Sequence, residues 1–424
     1  MKKLLAPLLA ATLGLTLLSG LPAGAAQAGE TRADARPAAA ARWHAAWGAA
    51  PQLPATGFTA NWSQEGFSRQ TLRQVVRVTE DGDRVRIRLS NAYGTSPLAV
   101  TGATVARTAT GAAVEPGSVR HLTFGGSRSA SVPARGELRS DPARLGLGRL
   151  ESVTVTLYLA GTTGPATFHS QAWADSYRAE GDHRADTGGD AFTARSQSWY
   201  YLSGVEVSGG TPPRKGGVVL FGDSITDSFG STPNANRRYS DALAERIDRP
   251  VVNSGIGGNL VLNDSAWYGE RATARFRRDA LDQPGVTTVA LLQGLNDIGY
   301  SEAALKPDPQ PTYKPSPVVT SAELIAAYRE LIDAAHARGV RVVGSTLLPF
   351  KGTSHWGPTA ERTSAEVNHW IRTSGEFDAV VDFARLLADP KDPQALDPRY
   401  AYADRLHPDD AGYRVMAEAV APLL

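Results

Sequence analysis

A chain of 424 residues is long enough to form two domains, each with its own apolar core. Apolar residues make up 42% of the sequence and charged residues 21%, which is typical of a soluble globular protein. The formal net charge of +1 gives no reason to expect a nucleic-acid partner, and the lack of cysteine excludes disulfides, thiolate nucleophiles and cysteine-ligated zinc.

The first 28 residues have the pattern of a secretory signal peptide. Lys2 and Lys3 precede an apolar run over residues 4–18, and the small residues around Ala26 and Ala28 offer a cleavage site. This run is too short for a membrane span, and no later stretch is apolar enough for one. The sequence therefore predicts a secreted, extracellular protein without a transmembrane segment, with a disordered leader over residues 29–42.

Residues 43–207 alternate between apolar and polar positions, as half-buried β-strands do. Val85, Ile87 and Leu89 face one way with arginines between them, and residues 153–159 alternate in the same manner. The Asp-Gly step at residues 81–82 predicts a hairpin between this strand and the one before it. Because no helical pattern appears, this segment is predicted to be an antiparallel β-sandwich or jelly-roll domain.

The pattern changes after residues 208–215, a glycine- and proline-rich segment predicted to be a linker. Strand-like apolar runs then alternate with helical stretches, and they cover residues 218–221, 251–252, 289–292, 340–348 and 379–383. The clearest helix covers residues 321–338, with a capping box at Thr320 and Glu323. Residues 216–424 are therefore predicted to be a doubly wound α/β domain with a parallel sheet, and the prolines between 307 and 317 predict a loop that walls or covers a pocket.

Polar groups follow the first three of these strands, at the sheet edge where open parallel sheets bind ligands. Ser224 follows the first strand, and a glycine-rich turn over residues 253–259 follows the second, with Gly258 inside it. Asn296 follows the third strand. A hydroxyl, exposed backbone N–H groups and an amide donor thus meet at one edge.

Asp404 and His407 precede the last helix, in which Pro408 is predicted to be the first residue. Since the two residues are three positions apart in a turn, the carboxylate can bond one imidazole nitrogen and leave the other free. Together with Ser224, this pair predicts an acyl-transfer site.

Each of these elements also has an ordinary structural interpretation. The glycines fit a simple tight turn, and Asn296 fits a helix cap. Asp404 and His407 fit a surface pair, a helix start or two ligands of a metal site, although no cluster with ligand spacing accompanies them.

Four sequence blocks together resemble the SGNH, or GDSL-type, serine esterase/lipase family. They are residues 222–225 (Gly-Asp-Ser-Ile), 253–258, 294–297 (Gly-Leu-Asn-Asp) and 404–408. Ile225 replaces the leucine that the family often has. The resemblance covers residues 216–424, and the Gly-x-Ser-x-Gly elbow of α/β-hydrolases is absent. Residues 43–207 are similar, more loosely, to the β-domain that precedes this domain in some secreted bacterial members.

The resemblance implies a role for each site residue. Ser224 is the nucleophile, His407 the general base and acid, and Asp404 the residue that orients the imidazole. The N–H groups of Ser224 and Gly258 and the side-chain amide of Asn296 form the oxyanion hole. No metal and no cofactor are expected. The other histidines are interpreted as structural or surface residues: His44, His121, His169, His183, His336, His355 and His369.

The sequence predicts a secreted carboxylic-ester hydrolase that acts through a Ser-His-Asp acyl-enzyme on a small-molecule or polymer-borne ester. Two alternatives stay open. One is a polysaccharide O-acetyl esterase with the same mechanism. The other is a carbohydrate- or surface-binding protein in which the β-domain makes the contact and the hydrolase domain is inert.

Overall fold

The structure is a computed structural model that describes residues 42–211, 213, 215–305 and 317–424. The predicted signal peptide, nearly all of the predicted leader and most of the proline-rich loop lie outside these residues. Residues 41–424 form one compact unit. For convenience, residues 42–208 are called the β-half and residues 217–424 the α/β half.

The β-half consists of strands, and residues 42–207 contain no helix. In chain order the strands are β1 His44–Gly48, β2 Gln70–Arg77, β3 Gly82–Ser90, β4 Leu98–Val100, β5 Gly102–Thr110, β6 Ala113–Val114, β7 Arg120–His121, β8 Ala130–Val132, β9 Glu137–Arg139, β10 Ala143–Leu147, β11 Ser152–Leu159, β12 Phe168–His169, β13 Ser176–Glu180, β14 Ala194–Ser196, β15 Trp199–Tyr200 and β16 Leu202–Ser208.

Two antiparallel sheets share the main apolar core of the β-half. One has the order β1-β16-β3-β10, with β9 also paired to β3, and the other has the order β14-β13-β2-β11-β5-β6, with β7 also paired to β5. Val85, Ile87 and Leu89 of the first sheet and Leu72 and Val76 of the second belong to one buried cluster. The apolar faces of the two sheets therefore pack against each other.

The hairpin predicted at the Asp-Gly step is wrong, because β2 and β3 belong to different sheets. The chain crosses between the sheets at residues 78–81, where Val78 donates to the carbonyl of Glu151 and Thr79 donates to that of Ala46. Alternation identifies which face of a strand is buried, and both strands bury theirs in the same core. It does not identify the partner strand, and here the turn residues misled the prediction.

The α/β half contains a five-stranded parallel sheet. Its strands are β17 Gly217–Gly222, β18 Val251–Gly255, β19 Val286–Leu292, β20 Arg341–Ser345 and β21 Ala379–Val381, in the order β18-β17-β19-β20-β21. All five coincide with predicted apolar runs. A short antiparallel pair, β22 Ala388–Asp389 and β23 Asp392–Leu396, follows.

The helices of this half are α1 Ser224–Asp227, α2 Tyr239–Ala244, α3 Ala272–Phe276, α4 Leu295–Ala304, α5 Ser321–His336, α6 Pro358–Thr373, α7 Phe383–Leu386 and α8 Asp410–Val420, with a π-helical turn at Arg277–Leu281 and a 3₁₀ turn at Ala421–Leu423. Within the described ranges, none of the helices combines the length and the apolar character needed to span a membrane.

Two predictions about helix starts have different outcomes. The capping box is confirmed, because Thr320 accepts from the N–H of Glu323 and the Glu323 carboxylate accepts from the N–H of Thr320. The start predicted at Pro408 is wrong. The last helix begins at Asp410, and the Asp409 carboxylate caps it by accepting from Ala411 and Gly412. An aspartate that bonds two N–H groups defines this end better than proline does.

The two halves contact each other through polar and apolar groups. The hydroxyl of Thr79, in the crossover of the β-half, lies 2.9 Å from the nitrogen and 3.0 Å from the carbonyl oxygen of Val251 in β18. Ala45 of β1 belongs to the core cluster of the α/β half. β16 extends one residue into the predicted linker, and Thr211 donates to Asp81. The β-half is thus held against one edge of the parallel sheet.

Candidate active site

Ser224 is positioned by a tight turn at the end of β17. Gly222 closes that strand, and a Cβ there would lie 2.1 Å from the carbonyl oxygen of Leu292, so only glycine fits. The Asp223 carboxylate caps α1 by accepting from Ile225 at 3.0 Å, and burial raises the pKa of Asp223 to about 7. Ser224 is therefore the first residue of a short helix, with its hydroxyl at the carboxyl end of the strand.

A hydrogen-bonded relay joins three of the predicted residues. The Ser224 Oγ lies 2.8 Å from Nε2 of His407, and Nδ1 of His407 lies 2.6 Å from Oδ2 of Asp404. The other carboxylate oxygen of Asp404 accepts from the N–H groups of Leu406 and His407, both at 3.0 Å. The imidazole is thus oriented at one nitrogen and directed at the hydroxyl with the other.

The Asp404 carboxylate is stabilised as an anion. Burial alone would raise its pKa, but the hydrogen bond and charge of His407 and the two backbone N–H donors together hold the pKa below its ordinary value. A carboxylate in this position favours an imidazolium beside it.

The ring of Phe229 packs against the imidazole of His407. The turn that ends α1, in which Phe229 donates to the carbonyl of Ser224 at 2.9 Å, places its ring 4.4 Å from that of His407. The rings of Trp173, in the β-half, and Tyr402 make edge contacts with the ring of Phe229, at centroid distances of 5.4 and 5.8 Å. The sequence did not point to Phe229, because it lies 178 residues before His407 in a segment without a motif.

The glycine-rich turn after β18 exposes a backbone donor. Gly258 has φ +72°, and a Cβ there would lie 2.4 Å from the ring of Tyr268. In the hydrogen bonds found among the described residues, neither the N–H of Gly258 nor that of Ser224 donates to a protein acceptor. Both N–H groups are therefore able to bind an anion.

Asn296 is held by hydrogen bonds at both ends of its amide. Its Nδ2 donates to the carbonyl of Asn259 at 3.2 Å, and its Oδ1 lies 3.2 Å from Nε2 of His355. Since amide nitrogen carries two hydrogens, one N–H is left for a ligand. His355, which the sequence analysis interpreted only as a structural or surface residue, helps to fix the orientation of this amide.

A buried arginine ties the strand ends together beneath the site. Arg275 is fully buried and donates to the carbonyl oxygens of Gly222 and Ser254 at 2.7 and 2.8 Å. Its Nε donates to Oδ1 of Asn259 at 2.9 Å. One side chain thereby connects the turn before Ser224 with the loop that carries Gly258. A lone arginine in a short helix gave no sign of this role in the sequence.

The β-half also reaches the far end of α1. His169 is fully buried, with Nε2 3.0 Å from Oδ1 of Asp227 and Nδ1 3.0 Å from the carbonyl oxygen of Ala50. Asp227 is the last residue of α1, so a side chain of the β-half holds the helix that begins with Ser224. The sequence interpretation of His169 as structural is consistent with this position.

The structure thus brings the predicted residues into two groups. Hydrogen bonds join Ser224, His407 and Asp404, and the loop carbonyl of Asn259 joins Asn296 to the turn of Gly258. Among the described residues, no hydrogen bond runs directly between the two groups. The first group can transfer a proton to and from a nucleophile, and the second offers donors for an anion. No group of three or more His, Asp or Glu side chains in the described ranges is arranged to hold a metal ion.

Residues 220–415 match the family model of the GDSL-like Lipase/Acylhydrolase family. Among solved structures, a protein assigned to the G-D-S-L family of lipolytic proteins from Desulfitobacterium hafniense is 19% identical, covers 50% of this chain and 100% of its own, and has a TM-score of 0.37. A GDSL-like lipase from Bacteroides thetaiotaomicron is 16% identical (49% and 86% covered, TM-score 0.36), and a variant of an acetyl xylan esterase from Geobacillus stearothermophilus is 21% identical (49% and 93% covered, TM-score 0.36). No curated protein matches the chain. The segment matched by the family model contains every predicted site residue.

Proposed function

We propose a serine acyl-enzyme mechanism for this chain, whose residues 220–415 are a domain of the GDSL-like lipase/acylhydrolase family and make it an ester-hydrolysing enzyme. The observation that carries the proposal is the relay in which Nε2 of His407 lies 2.8 Å from the Ser224 Oγ while Nδ1 lies 2.6 Å from Asp404. This arrangement fits a nucleophile, its base and the group that orients the base.

In the first half of the reaction, the Ser224 Oγ attacks the ester carbonyl carbon and its proton passes to Nε2 of His407. The tetrahedral intermediate carries a negative charge on the former carbonyl oxygen. When the intermediate collapses, the bond to the alkoxy oxygen breaks and His407 returns the proton to the leaving alcohol. In the second half, water replaces the serine as nucleophile through the same steps and releases the acid. Asp404 stabilises the imidazolium that forms twice in the cycle.

The oxyanion is stabilised by the N–H groups of Ser224 and Gly258 and by the remaining N–H of Asn296. Each such donor lowers the barrier by about 3 kcal/mol in comparable sites. The hydrogen bonds that Asn296 makes with Asn259 and His355 support this role, since they hold the amide before the substrate binds. A donor fixed in advance costs no reorganisation during the reaction.

The proposal extends to the location and the finer fold of the protein. The basic and apolar segments of residues 1–28 support secretion, which sequencing the N-terminus of protein recovered from culture medium tests. The strand order β18-β17-β19-β20-β21 supports a doubly wound arrangement of helices on the parallel sheet.

The mechanism is tested by hydrolysis of p-nitrophenyl esters from acetyl to palmitoyl, with the full chain, Ser224→Ala and Ser231→Ala. Ser231 is a matched control, because it is buried, lies seven residues after Ser224, and its Oγ has no hydrogen-bond partner among the described residues. We expect Ser224→Ala to lose serine-dependent hydrolysis and covalent labelling by a fluorophosphonate, while Ser231→Ala keeps both. Full activity in Ser224→Ala would refute the mechanism.

The same series separates the ester classes that remain open. A rate that peaks at the acetyl ester favours the polysaccharide O-acetyl esterase, and acetylated xylan or another acetylated polymer then becomes the substrate to assay. A peak at longer acyl chains favours lipid-like esters. The β-half contact with carbohydrate is a separate proposal, tested by retention of the Ser224→Ala protein on insoluble polysaccharide.

A further inference from the structure

An exposed aromatic side chain of the β-half contacts residues that surround the candidate site. Phe58 lies in the segment between β1 and β2, and 48% of its surface is exposed. Among the large apolar side chains of the described residues, only Leu305 and Val318 are more exposed. An exposed phenylalanine ring is free to contact a ligand through one face. The role of the Phe58 ring depends on which residues of the protein it packs against.

One side of the Phe58 ring lies on the loop that carries Gly258. The ring stacks on that of Tyr268, with centroids 5.4 Å apart and an interplanar angle of 18°. Its Cε2 lies 3.1 Å from where a Cβ of Gly257 would be. Tyr268 in turn packs directly on Gly258. Phe58 is therefore part of the wall on the oxyanion side of Ser224.

The Phe58 ring also contacts the aromatic residue that packs on the base. Phe58 makes an edge contact with Phe229, at 6.1 Å and 73°, and Phe229 lies 4.4 Å from the ring of His407. Phe58 thus contacts both the residue that packs on the base and the residues that form the anion-binding loop. Because Ser224 is hydrogen-bonded to that base, these contacts place the Phe58 ring beside the site, between the base and the anion-binding loop.

The segment that carries Phe58 is built to hold the ring in place. Asn61 donates through Nδ2 to the carbonyls of Thr56 and Thr59, at 2.7 and 3.1 Å. The Ser63 hydroxyl donates to the carbonyl of Ala55 at 2.9 Å and accepts from its N–H at 3.1 Å. These bonds close the loop on both sides of Phe58. A ring held in advance loses little conformational entropy when a substrate binds.

We propose that Phe58 is a substrate-contacting, specificity-determining residue of the ester site, so that the β-half supplies one wall of that site. The proposal rests on the serine mechanism above. The ligand chemistry that the ring recognises is an apolar chain or ring next to the ester carbonyl. That group belongs to either the acyl or the alcohol part of the substrate, and the two are distinguished by experiment.

The test compares wild type, Phe58→Ala and Phe58→Leu in the full chain on two ester series. The first keeps p-nitrophenol and lengthens the acyl group, and the second keeps the acetyl group and enlarges the alcohol. We expect Phe58→Ala to raise KM roughly tenfold for the larger members of one series, with less than a threefold change for the smallest, and Phe58→Leu to lie between. The series that responds identifies the part of the ester that the ring contacts.

Trp43→Ala is the matched control, since Trp43 is an aromatic residue of the same half that stacks on Arg86, 4.1 Å away, and takes no part in the aromatic cluster of the site. Selectivity in Phe58→Ala that stays within twofold of wild type in both series overturns the proposal. So does an equal loss for every ester, which would mean that the ring only supports the loop. If wild type hydrolyses no ester and fluorophosphonate does not label Ser224, the proposed function itself fails and this inference fails with it.

Discussion

Two histidine–aspartate pairs lie at opposite ends of the same four-residue helix. His407 with Asp404 reaches Ser224, the first residue of α1, and His169 binds Asp227, the last residue. The two pairs have nearly the same internal distance, 2.6 and 3.0 Å. The difference that bears on chemistry is the partner of the second ring nitrogen.

That difference separates a proton-transferring pair from a structural one. The second nitrogen of His407 faces the serine hydroxyl, whereas that of His169 is bonded to the carbonyl oxygen of Ala50 in the β-half. The His169 ring is also covered by Trp199, stacked at 5.4 Å. A histidine whose nitrogens bond a carboxylate and a backbone carbonyl has no hydroxyl to deprotonate, so it holds two segments together and its partner carboxylate has a structural role.

Removing the histidine next to Ser224 is expected to have the largest effect. His407→Gln should lower kcat/KM for p-nitrophenyl acetate about 10⁴-fold or more, because the serine loses its base. The urea midpoint should change little, since the side chain is replaced by one of similar size. A variant that keeps more than a hundredth of the wild-type rate would contradict the assignment of the base.

The two aspartates, Asp404 and Asp227, can be compared in the same way as the two histidines. Asp404→Asn should lower kcat about 10³- to 10⁴-fold at neutral pH, because the amide stabilises the wrong imidazole tautomer. Asp227→Asn, its counterpart at the other end of α1, should change kcat less than tenfold. Steady-state kinetics of the two variants side by side measure this, and equal losses would remove the distinction between the pairs.

Removing one donor of the proposed oxyanion hole should have a smaller effect on kcat than removing His407 or Asp404. Asn296→Ala should lower kcat about 10²- to 10³-fold with little change in KM, since the amide acts on charge that develops in the transition state. His355→Ala, which removes only the group that orients this amide, should have a smaller effect on kcat. The prediction is wrong if Asn296→Ala changes KM alone.

Loss of the buried His169–Asp227 pair should lower the stability of the protein. His169→Ala is expected to lower the free energy of unfolding by about 3 kcal/mol, because it leaves the Asp227 carboxylate buried without its partner. kcat should stay within tenfold of wild type. The double variant with Asp227→Ala should regain part of the loss, and urea unfolding of the single and double variants measures the coupling. Additive effects would show that the two residues do not stabilise each other.

The smallest expected effect is the pH dependence of this stability. Burial alone would lower the pKa of His169, but the charge and hydrogen bond of Asp227, with the backbone carbonyl of Ala50, raise it above 6.5. A pKa that is higher in the folded protein stabilises the fold fully below pH 6.5, and this contribution is lost as the pH rises through the folded value. The stability difference between wild type and His169→Ala, measured by urea unfolding, should therefore be largest below pH 6.5 and should decrease as the pH rises above it. A stability difference that grows as the pH rises would mean that folding lowers the pKa of His169 and would contradict the prediction.

The sequence was most informative where a residue is placed by its own strand. Ser224, Gly258 and Asn296 each follow a parallel strand, so the sheet itself brings them to one edge. Their supporting residues come from elsewhere in the chain and have no motif: Arg275 reaches back from a later helix, and His355 lies 59 residues after the amide that it orients. Such contacts depend on tertiary packing, which periodicity does not encode.

The alternating pattern also could not predict which strands of the β-half pair with each other. The alternation of Val85, Ile87 and Leu89 predicted a buried face, and all three are fully buried. Neither the crossover at residues 78–81 nor the position of Phe58 over the site followed from it. Both depend on which surfaces of the two halves meet, and that is decided by side chains far apart in the chain.

The contact between Thr79 and Val251 has a further consequence for how the protein behaves at high concentration. β18 is an edge strand of the parallel sheet, and an edge strand with unsatisfied backbone groups is a template for intermolecular pairing and aggregation. The Thr79 hydroxyl accepts from the N–H of Val251 and lies 3.0 Å from its carbonyl oxygen, and Gly48 of β1 packs beside Val252. The β-half thus covers this edge, and the α/β half alone would expose a strand with which another molecule could pair.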